Sequence, residues 1–143
     1  MEKHFMNLWE KNKNKLEDYF KTHDQREYSE YKNIVEKIIE LIINDEEFEY
    51  YETYNIERMT VIDDGSYQGT EIFMIPRDTY QPYAEDYIFT HNYYGSCSGC
   101  DTLQAIHWYN LDEKPSEEQL KDYMLLSLNL VENLRYLVPR EGE

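Results

Sequence analysis

The sequence predicts an α+β fold in which a three-stranded antiparallel meander packs with N- and C-terminal helices. Apolar residues recur every three or four positions in residues 3–43 and 102–138, a spacing typical of amphipathic helices. Between residues 52 and 92 the period approaches two, and turn residues separate short apolar runs. With 143 residues, 41% of them hydrophobic, the chain is expected to form a single globular domain.

Residues 1–44 are predicted to form a helical hairpin. The first helix covers residues 3–21, where the aromatic and aliphatic positions lie on one face. Asp24 and Glu27 have the spacing of a capping box, which predicts that a second helix begins there. Its apolar stripe runs from Tyr28 to Ile43, and we expect the helix to stop at Asn44.

Residues 52–92 are predicted to form an acidic antiparallel sheet. The first strand covers residues 54–62, with a bulge near Arg58 where the alternation slips. A turn at residues 63–66 leads into a second strand over 70–75, and the third strand covers residues 86–92. We expect acidic side chains on the open face of this meander, since one face of an antiparallel sheet is commonly solvated.

Residues 95–138 are predicted to hold a C-x-x-C loop and the C-terminal helices. A short helix runs to about Tyr109, and Ser116 with Gln119 provides a capping box for the last helix. Pro139 ends that helix, because proline cannot continue the hydrogen-bond pattern. The predicted element order is therefore α-α-β-β-β-α-α.

The formal charge of −16 is concentrated in the middle of the chain. Residues 38–113 hold sixteen Asp or Glu but only Arg58 and Arg77, whereas residues 1–37 are balanced. Such a field repels nucleic acid and anionic membranes and attracts basic protein surfaces. The sequence contains no apolar run of the ~20 residues that a membrane span needs. We also expect no signal peptide, because the first residues lack its apolar core. We therefore expect a cytoplasmic protein with a basic protein partner, and no direct binding to nucleic acid or membrane.

Tyrosine is abundant, with 15 residues, and several lie beside acidic positions. A rigid ring with a polar tip suits an interface, and it also suits half-buried strand packing. The partner-binding surface is predicted from the carboxylates and tyrosines around the second and third strands, namely Asp63, Asp64, Tyr67, Glu71, Tyr80, Tyr83, Glu85 and Asp86. A merely solubilising acidic surface is the alternative interpretation.

The segment from Tyr93 to Asp101 contains both cysteines of the chain and is the candidate for chemistry. A C-x-x-C between a strand and a helix can act in thiol–disulfide exchange. It can also supply two of the four ligands of a zinc ion, with His91 and His107 as the nearest further candidates. The thioredoxin order, with later strands and a cis-proline, is absent from the predicted elements, and half of a zinc motif is a weak signal.

Two further interpretations of the same segment remain. Residues 95–99 match a G-x-C-x-G turn of the kind that carries a nucleophile in hydrolases, but that turn belongs to a parallel sheet with βαβ units. Alternatively the segment is structural: small residues allow close backbone approach, and Asp101 or Ser98 caps the following helix. A Gly/Ser anion site is disfavoured by the surrounding acid, unless Arg77 reaches it.

Part of the chain resembles a block found in small bacteriophage and prophage proteins that have no assigned activity. The resemblance covers roughly residues 54–109 and is carried by Gln68-Gly69-Thr70, by residues 75–82 and by Tyr-Tyr-Gly-Ser-Cys-Ser-Gly-Cys-Asp-Thr-Leu at residues 93–103. It implies a phage or mobile-element gene that is expressed in a bacterial cytoplasm. It carries no catalytic residue over to this chain.

These observations lead to one main functional hypothesis. We expect a non-enzymatic acidic protein that inhibits a basic, nucleic-acid-binding host defence protein, in the manner of anti-CRISPR or anti-restriction inhibitors, with carboxylates mimicking phosphates and tyrosines mimicking bases. An immunity protein against a basic toxin has the same physics. The alternative from another class is a small zinc-binding or thiol-redox protein centred on Cys97 and Cys100.

Overall fold

The computed structural model describes residues 2–97 and 99–140, and it has a mixed α+β architecture. The four α-helices are α1 (Lys3–Thr22), α2 (Tyr31–Ile38), α3 (Thr102–Tyr109) and α4 (Glu117–Glu132). The four strands are β1 (Thr60–Asp63), β2 (Gly69–Pro76), β3 (Tyr87–Tyr94) and β4 (Arg135–Tyr136). The helices and the antiparallel sheet confirm the predicted α+β class, whereas the predicted element order is only partly correct because β4 follows α4.

The sheet has the strand order β1-β2-β3-β4, and every neighbouring pair is antiparallel. The predicted three-strand meander is present, and β4 adds a fourth strand by pairing Tyr136 with Ile88. The last helix was expected to continue to Pro139, but α4 ends at Glu132. The chain leaves the helix there because Arg135 and Tyr136 complete the free edge of β3, and the Leu137 amide donates to the Tyr87 carbonyl at 3.0 Å.

The first strand is shorter than predicted. Residues 56–58, where the bulge was expected, form a 3₁₀ turn, and regular pairing begins only at Thr60. Tyr54 makes an isolated antiparallel bridge with Arg77, which holds the preceding segment against the end of β2. The alternation of apolar residues before Thr60 therefore reflects packing of turns against the core rather than a strand.

The second helix begins later than predicted and ends where predicted. Asp24 and Glu27 do form a capping box, but it caps a 3₁₀ turn over Gln25–Tyr28. The α2 helix starts at Tyr31, continues as one π-helical turn over Ile39–Ile43 and stops at Asn44. The Asn44 side chain then bonds both backbone groups of Tyr54, so the end of this helix also positions the segment that enters the sheet.

The buried apolar side chains form one cluster between the helices and one face of the sheet. Phe5 and Phe20 of α1, Ile75 and Ile88 of the sheet, and Tyr123 of α4 all belong to it. On α4 the buried positions include Gln119, Tyr123 and Leu126, whereas Leu120 and Met124 are not among them. Those two residues are partly buried and pack at the margin of the cluster.

The second sheet face turns away from the core, and it is not acidic as expected. On β1, β2 and β3 the residues of this outer face are Thr60, Ile62, Thr70, Ile72, Met74, Pro76, Tyr87, Phe89, His91 and Tyr93. Ile62 is 48% exposed and Tyr93 is 58% exposed. Strand carboxylates Asp63 and Glu71 instead project on the core side, beyond the end of the hydrophobic cluster.

Replacing Phe73 by alanine tests this orientation of the sheet. Phe73 is 0% exposed, so Phe73→Ala should lower the free energy of unfolding by about 3–5 kcal/mol. Phe89→Ala, on the outer face, is the matched control and should cost only about 1 kcal/mol. Urea unfolding followed by circular dichroism measures both, and equal losses would contradict the assigned faces.

Candidate functional site

The cysteine loop closes as a tight turn between β3 and α3. The Cys97 carbonyl accepts hydrogen bonds from the amides of Cys100 (3.0 Å) and Asp101 (2.9 Å). Gly95 is required here because a Cβ atom would clash with the Cys100 carbonyl oxygen. Small residues therefore do allow a close backbone approach, as the structural interpretation predicted. Ser98 lies outside the described residues, and Asp101 is the residue that caps α3.

The side chain of Asp101, only 4% exposed, anchors this loop to two helices. Its Oδ1 accepts from the Gly95 amide at 2.9 Å and from the Tyr31 hydroxyl at 3.0 Å. Its Oδ2 accepts from the Gln104 amide at 2.9 Å, which is the helix cap. The Tyr31 oxygen accepts in turn from the Leu103 amide at 3.1 Å. This arrangement joins the end of β3, the start of α2 and the start of α3.

Both thiols lie at the surface and next to each other. Cys97 and Cys100 are exposed and free, and their sulfurs are 2.7 Å apart. The Cys97 amide donates to the Cys100 sulfur at 2.9 Å, and the Ser96 hydroxyl lies 3.7 Å from the same atom. Hydrogen bonding by the Cys97 side chain, followed by these groups, lowers the pKa of the Cys100 thiol.

The structure does not bring the predicted zinc ligands together. His91 is exposed on the outer face of β3, and His107 lies in α3 with its Nδ1 atom 2.9 Å from the Tyr123 hydroxyl. Across residues 2–97 and 99–140, no three His, Cys, Asp or Glu side chains are grouped so as to hold a metal ion. The two cysteines supply two of the four ligands that a tetrahedral zinc site needs.

The hydrolase interpretation also lacks its supporting geometry. The sheet is antiparallel, and β3 lies between β2 and β4 rather than in a βαβ unit. His107 is engaged with Tyr123 instead of a cysteine. The loop therefore resembles the nucleophile turn only in its glycine spacing.

His107 belongs to a buried polar network. The network joins the α1–α2 connection, which contains Gln25, to the α3–α4 connection, which contains Asp112. The Tyr123 hydroxyl donates to the Gln25 side-chain oxygen at 2.6 Å, and Gln119 Nε2 donates to the same oxygen at 3.1 Å. The Gln25 amide group in turn donates to the Asp112 carbonyl at 2.6 Å. Because the Tyr123 hydroxyl donates its proton to the Gln25 oxygen, the His107 Nδ1–H group donates to the Tyr123 oxygen. The His107 Nε2 atom is buried and has no hydrogen-bond partner among the described residues.

The predicted partner residues fall into two groups at opposite ends of the sheet. Asp63, Asp64, Tyr67 and Glu71 lie at the β1–β2 turn, where Gly69 pairs with Tyr94. The second group is in the β2–β3 connection, where Pro76 pairs with Tyr87, and consists of Tyr80, Tyr83, Glu85 and Asp86. The eight-residue ladder separates the groups by about 23 Å, so they do not form one continuous contact face.

The first acidic group borders a cleft that the sequence did not predict. Glu71 lies in this cleft of about 570 Å³ together with Glu30, Lys32, Tyr94 and Asp101. Burial, and then the neighbouring carboxylates, raise the pKa of Glu71.

The Tyr94 hydroxyl, at the same end of the sheet, donates to Asp63 at 2.6 Å. This bond lowers the pKa of Asp63 and raises the pKa of Tyr94 to about 12. It ties the β1–β2 turn to the strand that leads into the cysteine loop.

The cleft and the anchor of the cysteine loop include residues that sequence reasoning missed. Tyr31 and Asp101 are 70 positions apart, and no local pattern indicates that their side chains meet. Gln25 and Tyr123 are 98 positions apart, and no local pattern indicates their hydrogen bond either. The role of Ser96 had a local signal, since it lies directly beside Cys97 in a run of small hydroxyl residues.

Comparisons with protein-family models, with curated proteins and with solved structures found no match. Within the part of the chain that the structure describes, no helix is both long enough and apolar enough to cross a membrane. Functional inference therefore depends on the geometry of the chain itself.

Replacing Asp101 by alanine should loosen the cysteine loop and destabilise the fold. The substitution removes a helix cap and leaves the buried Gly95 amide and the Tyr31 hydroxyl proton without an acceptor, for a loss of about 2–4 kcal/mol in unfolding free energy. Asp122→Ala, at an exposed position on α4, is the control and should change stability little. Urea unfolding gives both values. An effect of Asp101→Ala as small as that of the control would show that the anchor contributes little.

His107 should make stability depend on pH in the range where histidine titrates. Burial lowers the pKa of His107 below its ordinary value of 6.5. The unfolded chain then binds more protons below about pH 6.5, so stability should fall by up to about 1 kcal/mol between pH 7 and pH 5.5. His107→Phe should remove this part of the slope, while His91→Gln should retain it. Unfolding curves at both pH values provide the test, and an unchanged slope in His107→Phe would contradict it.

Proposed function

We propose that this protein is a non-enzymatic acidic binding protein that inhibits a basic, nucleic-acid-binding host protein. The observation that carries the proposal is the distribution of ion pairs. Residues 48–112 contain eleven carboxylates, and among the described residues none of them has an ion-pair partner within 4 Å. A partner with basic groups would supply the missing counter-charges.

Six basic residues of the described chain form ion pairs, and all of their partners are acids outside residues 48–112. The acids that do form ion pairs include Asp45, bound by Lys11 at 2.9 Å, and Glu46 and Glu47 beside it. In this way α1 neutralises the segment that follows α2. The carboxylates of the β1–β2 turn and of the β2–β3 connection receive no such compensation in the described structure.

The two central arginines do not neutralise these carboxylates either. Arg58 donates to the Thr79 carbonyl at 2.7 Å, and Arg77 lies over the Tyr54 ring at 5.3 Å. Both groups thus stabilise the connection between β2 and β3 instead of pairing with an acid. The negative field of the central segment remains available to a binding partner.

Exposed tyrosines accompany both acidic groups. Tyr67 is 84% exposed at the β1–β2 turn, and Tyr80 and Tyr83 are 92% and 72% exposed in the opposite connection. Large exposed rings beside carboxylates are the combination that a mimic of phosphates and bases needs, and tyrosine is also enriched in protein interfaces. The half-exposed apolar outer face of the sheet lies between these two ends.

The proposed setting is a phage or prophage gene in a bacterial cell, as the resemblance of residues 54–109 implies. An anti-CRISPR or anti-restriction inhibitor would use the acidic groups to occupy a basic nucleic-acid channel. An immunity protein against a basic toxin would use the same contacts, and the identity of the captured partner distinguishes these two cases. For zinc binding as a second function, no observation in the described residues adds support to the C-x-x-C.

Charge neutralisation at the two acidic groups tests the proposal. Capture from bacterial lysate at low salt should recover a basic protein, and binding to it should weaken steeply as salt increases. Asp63→Asn with Asp64→Asn, or Glu85→Gln with Asp86→Asn, should each lower the affinity about three- to tenfold. Titration of the purified partner by calorimetry at several salt concentrations measures the change, and a nuclease assay measures inhibition.

Glu10→Gln with Glu17→Gln provides the matched control, because it removes the same charge from ion-paired positions on α1. This control should leave the affinity nearly unchanged. An equal loss in the control would show that only net charge matters. Failure to recover any basic partner at low salt would overturn the proposal.

A further inference from the structure

The exposed thiol pair has a geometry that the proposed binding function does not use. Cys97 and Cys100 are three positions apart on a tight turn, and their sulfurs are already in contact at 2.7 Å. Both side chains are exposed, so a reagent can reach either sulfur from solvent. Thiol–disulfide exchange requires these two properties, accessibility of one thiol and closeness of a second.

The surrounding groups distinguish the two sulfurs. The Cys97 amide, the Ser96 hydroxyl and the Cys97 thiol are all placed to donate to the Cys100 sulfur. In its thiol form Cys100 can donate to the Cys97 carbonyl at 3.3 Å, to Ser96 Oγ or to Cys97 Sγ, whereas a Cys100 thiolate accepts from both of those side chains and from the Cys97 amide. Donors therefore predominate around Cys100, and donors favour a thiolate.

This arrangement differs from a C-x-x-C whose first cysteine begins a helix. Here the helix begins only at Thr102, and Asp101 already occupies its cap. The turn itself, rather than the helix terminus, provides the donors. Cys100 is consequently the better nucleophile of the pair.

Cys100 also borders a groove between α3 and α4 of about 550 Å³. Ile106, Tyr109 and Leu126 contribute apolar surface to this groove, and Glu118 and Asp122 contribute carboxylates. A disulfide that approaches Cys100 along the groove meets apolar walls and negative charge. This environment favours uncharged or cationic disulfides over anionic ones.

We propose that Cys97 and Cys100 form a thiol–disulfide exchange site in which Cys100 attacks first, Cys97 resolves, and the co-reactant is a neutral or cationic disulfide. In the first step the Cys100 thiolate bonds to one sulfur of the co-reactant, whose S–S bond breaks and releases a thiolate. Cys97 then loses its proton to solvent and attacks the Cys100 sulfur. The mixed disulfide breaks, and the second half of the co-reactant leaves as a thiolate and is protonated. The protein is oxidised by two electrons, and the co-reactant is reduced to two thiols.

The order of attack can be tested with cystamine, a small dicationic disulfide, on the reduced full chain in the presence of a chelator. Intact mass spectrometry should show wild-type protein reaching an internal disulfide, with little accumulated adduct. Cys97→Ser retains the nucleophile and should stop at one mixed disulfide. Cys100→Ser should form its adduct more slowly, by about threefold or more near neutral pH.

Unfolding supplies the control for intrinsic cysteine reactivity. In urea the turn is lost, and the two single variants should react with cystamine at similar rates. Ser96→Ala should slow the reaction of Cys97→Ser protein in the folded state only. If Cys100→Ser reacts as fast as Cys97→Ser when folded, or if wild-type protein stays as the mixed disulfide, the proposal is overturned.

The charge preference has its own test. Cystamine should react faster than the dianionic disulfide dithiodipropionate, after each rate is divided by that for a free cysteine derivative. Glu118→Gln with Asp122→Asn should reduce this ratio more than Glu10→Gln with Glu17→Gln, because only the first pair lines the groove. Equal ratios for all three proteins would remove the groove from the proposal. Because these readouts need no protein partner, their failure is distinguishable from failure of the proposed inhibitor function.

Discussion

The candidate site depends on the hydrogen bonds that the buried Asp101 carboxylate accepts. It accepts from the amides of Gly95 and Gln104 and from the hydroxyl of Tyr31, so one side chain fixes the end of β3 and the starts of α2 and α3. A carboxylate that is 4% exposed requires such donors, since a buried charge without hydrogen bonds is costly. These hydrogen bonds therefore anchor the residue that directly follows the exposed cysteine turn.

The distribution of ion pairs explains where the acidic surface lies. The lysines of α1 reach the acidic segment after α2, where Lys11 bonds both Asp45 and Glu47. That segment is close to the core and needs compensation, because Asp45 is 2% exposed. Carboxylates farther along the chain lie mostly at sheet ends, where water solvates them. Their missing counter-ions cost little in the folded state, and they leave a field that a basic protein can use.

Local patterns predicted much of this fold, and contacts between distant residues account for most of the differences. Periodicity predicted α1 and the second and third strands to within two residues, and the Ser116–Gln119 capping box is present at α4. Periodicity could not predict β4, because two residues become a strand only through pairing with β3. The acidic open face was wrong for a related reason. The register places Asp63 and Glu71 on the same face as the core residue Phe73, and they meet solvent because they lie beyond the end of the hydrophobic cluster.

The sequence prediction singled out the cysteine loop, and the structure supplies the geometry around its two sulfurs. Spacing alone made Cys97 and Cys100 candidates for zinc, exchange chemistry or structure, and the dipole of the following helix was expected to activate the first thiol, Cys97. The donors around Cys100 distinguish them, because they come from the turn itself. The Tyr94–Asp63 bond further connects this loop to one acidic group, since Tyr94 directly precedes Gly95. The cysteine turn and the acidic group of the β1–β2 turn thus lie at the same end of the sheet. Strand β3 positions both of them.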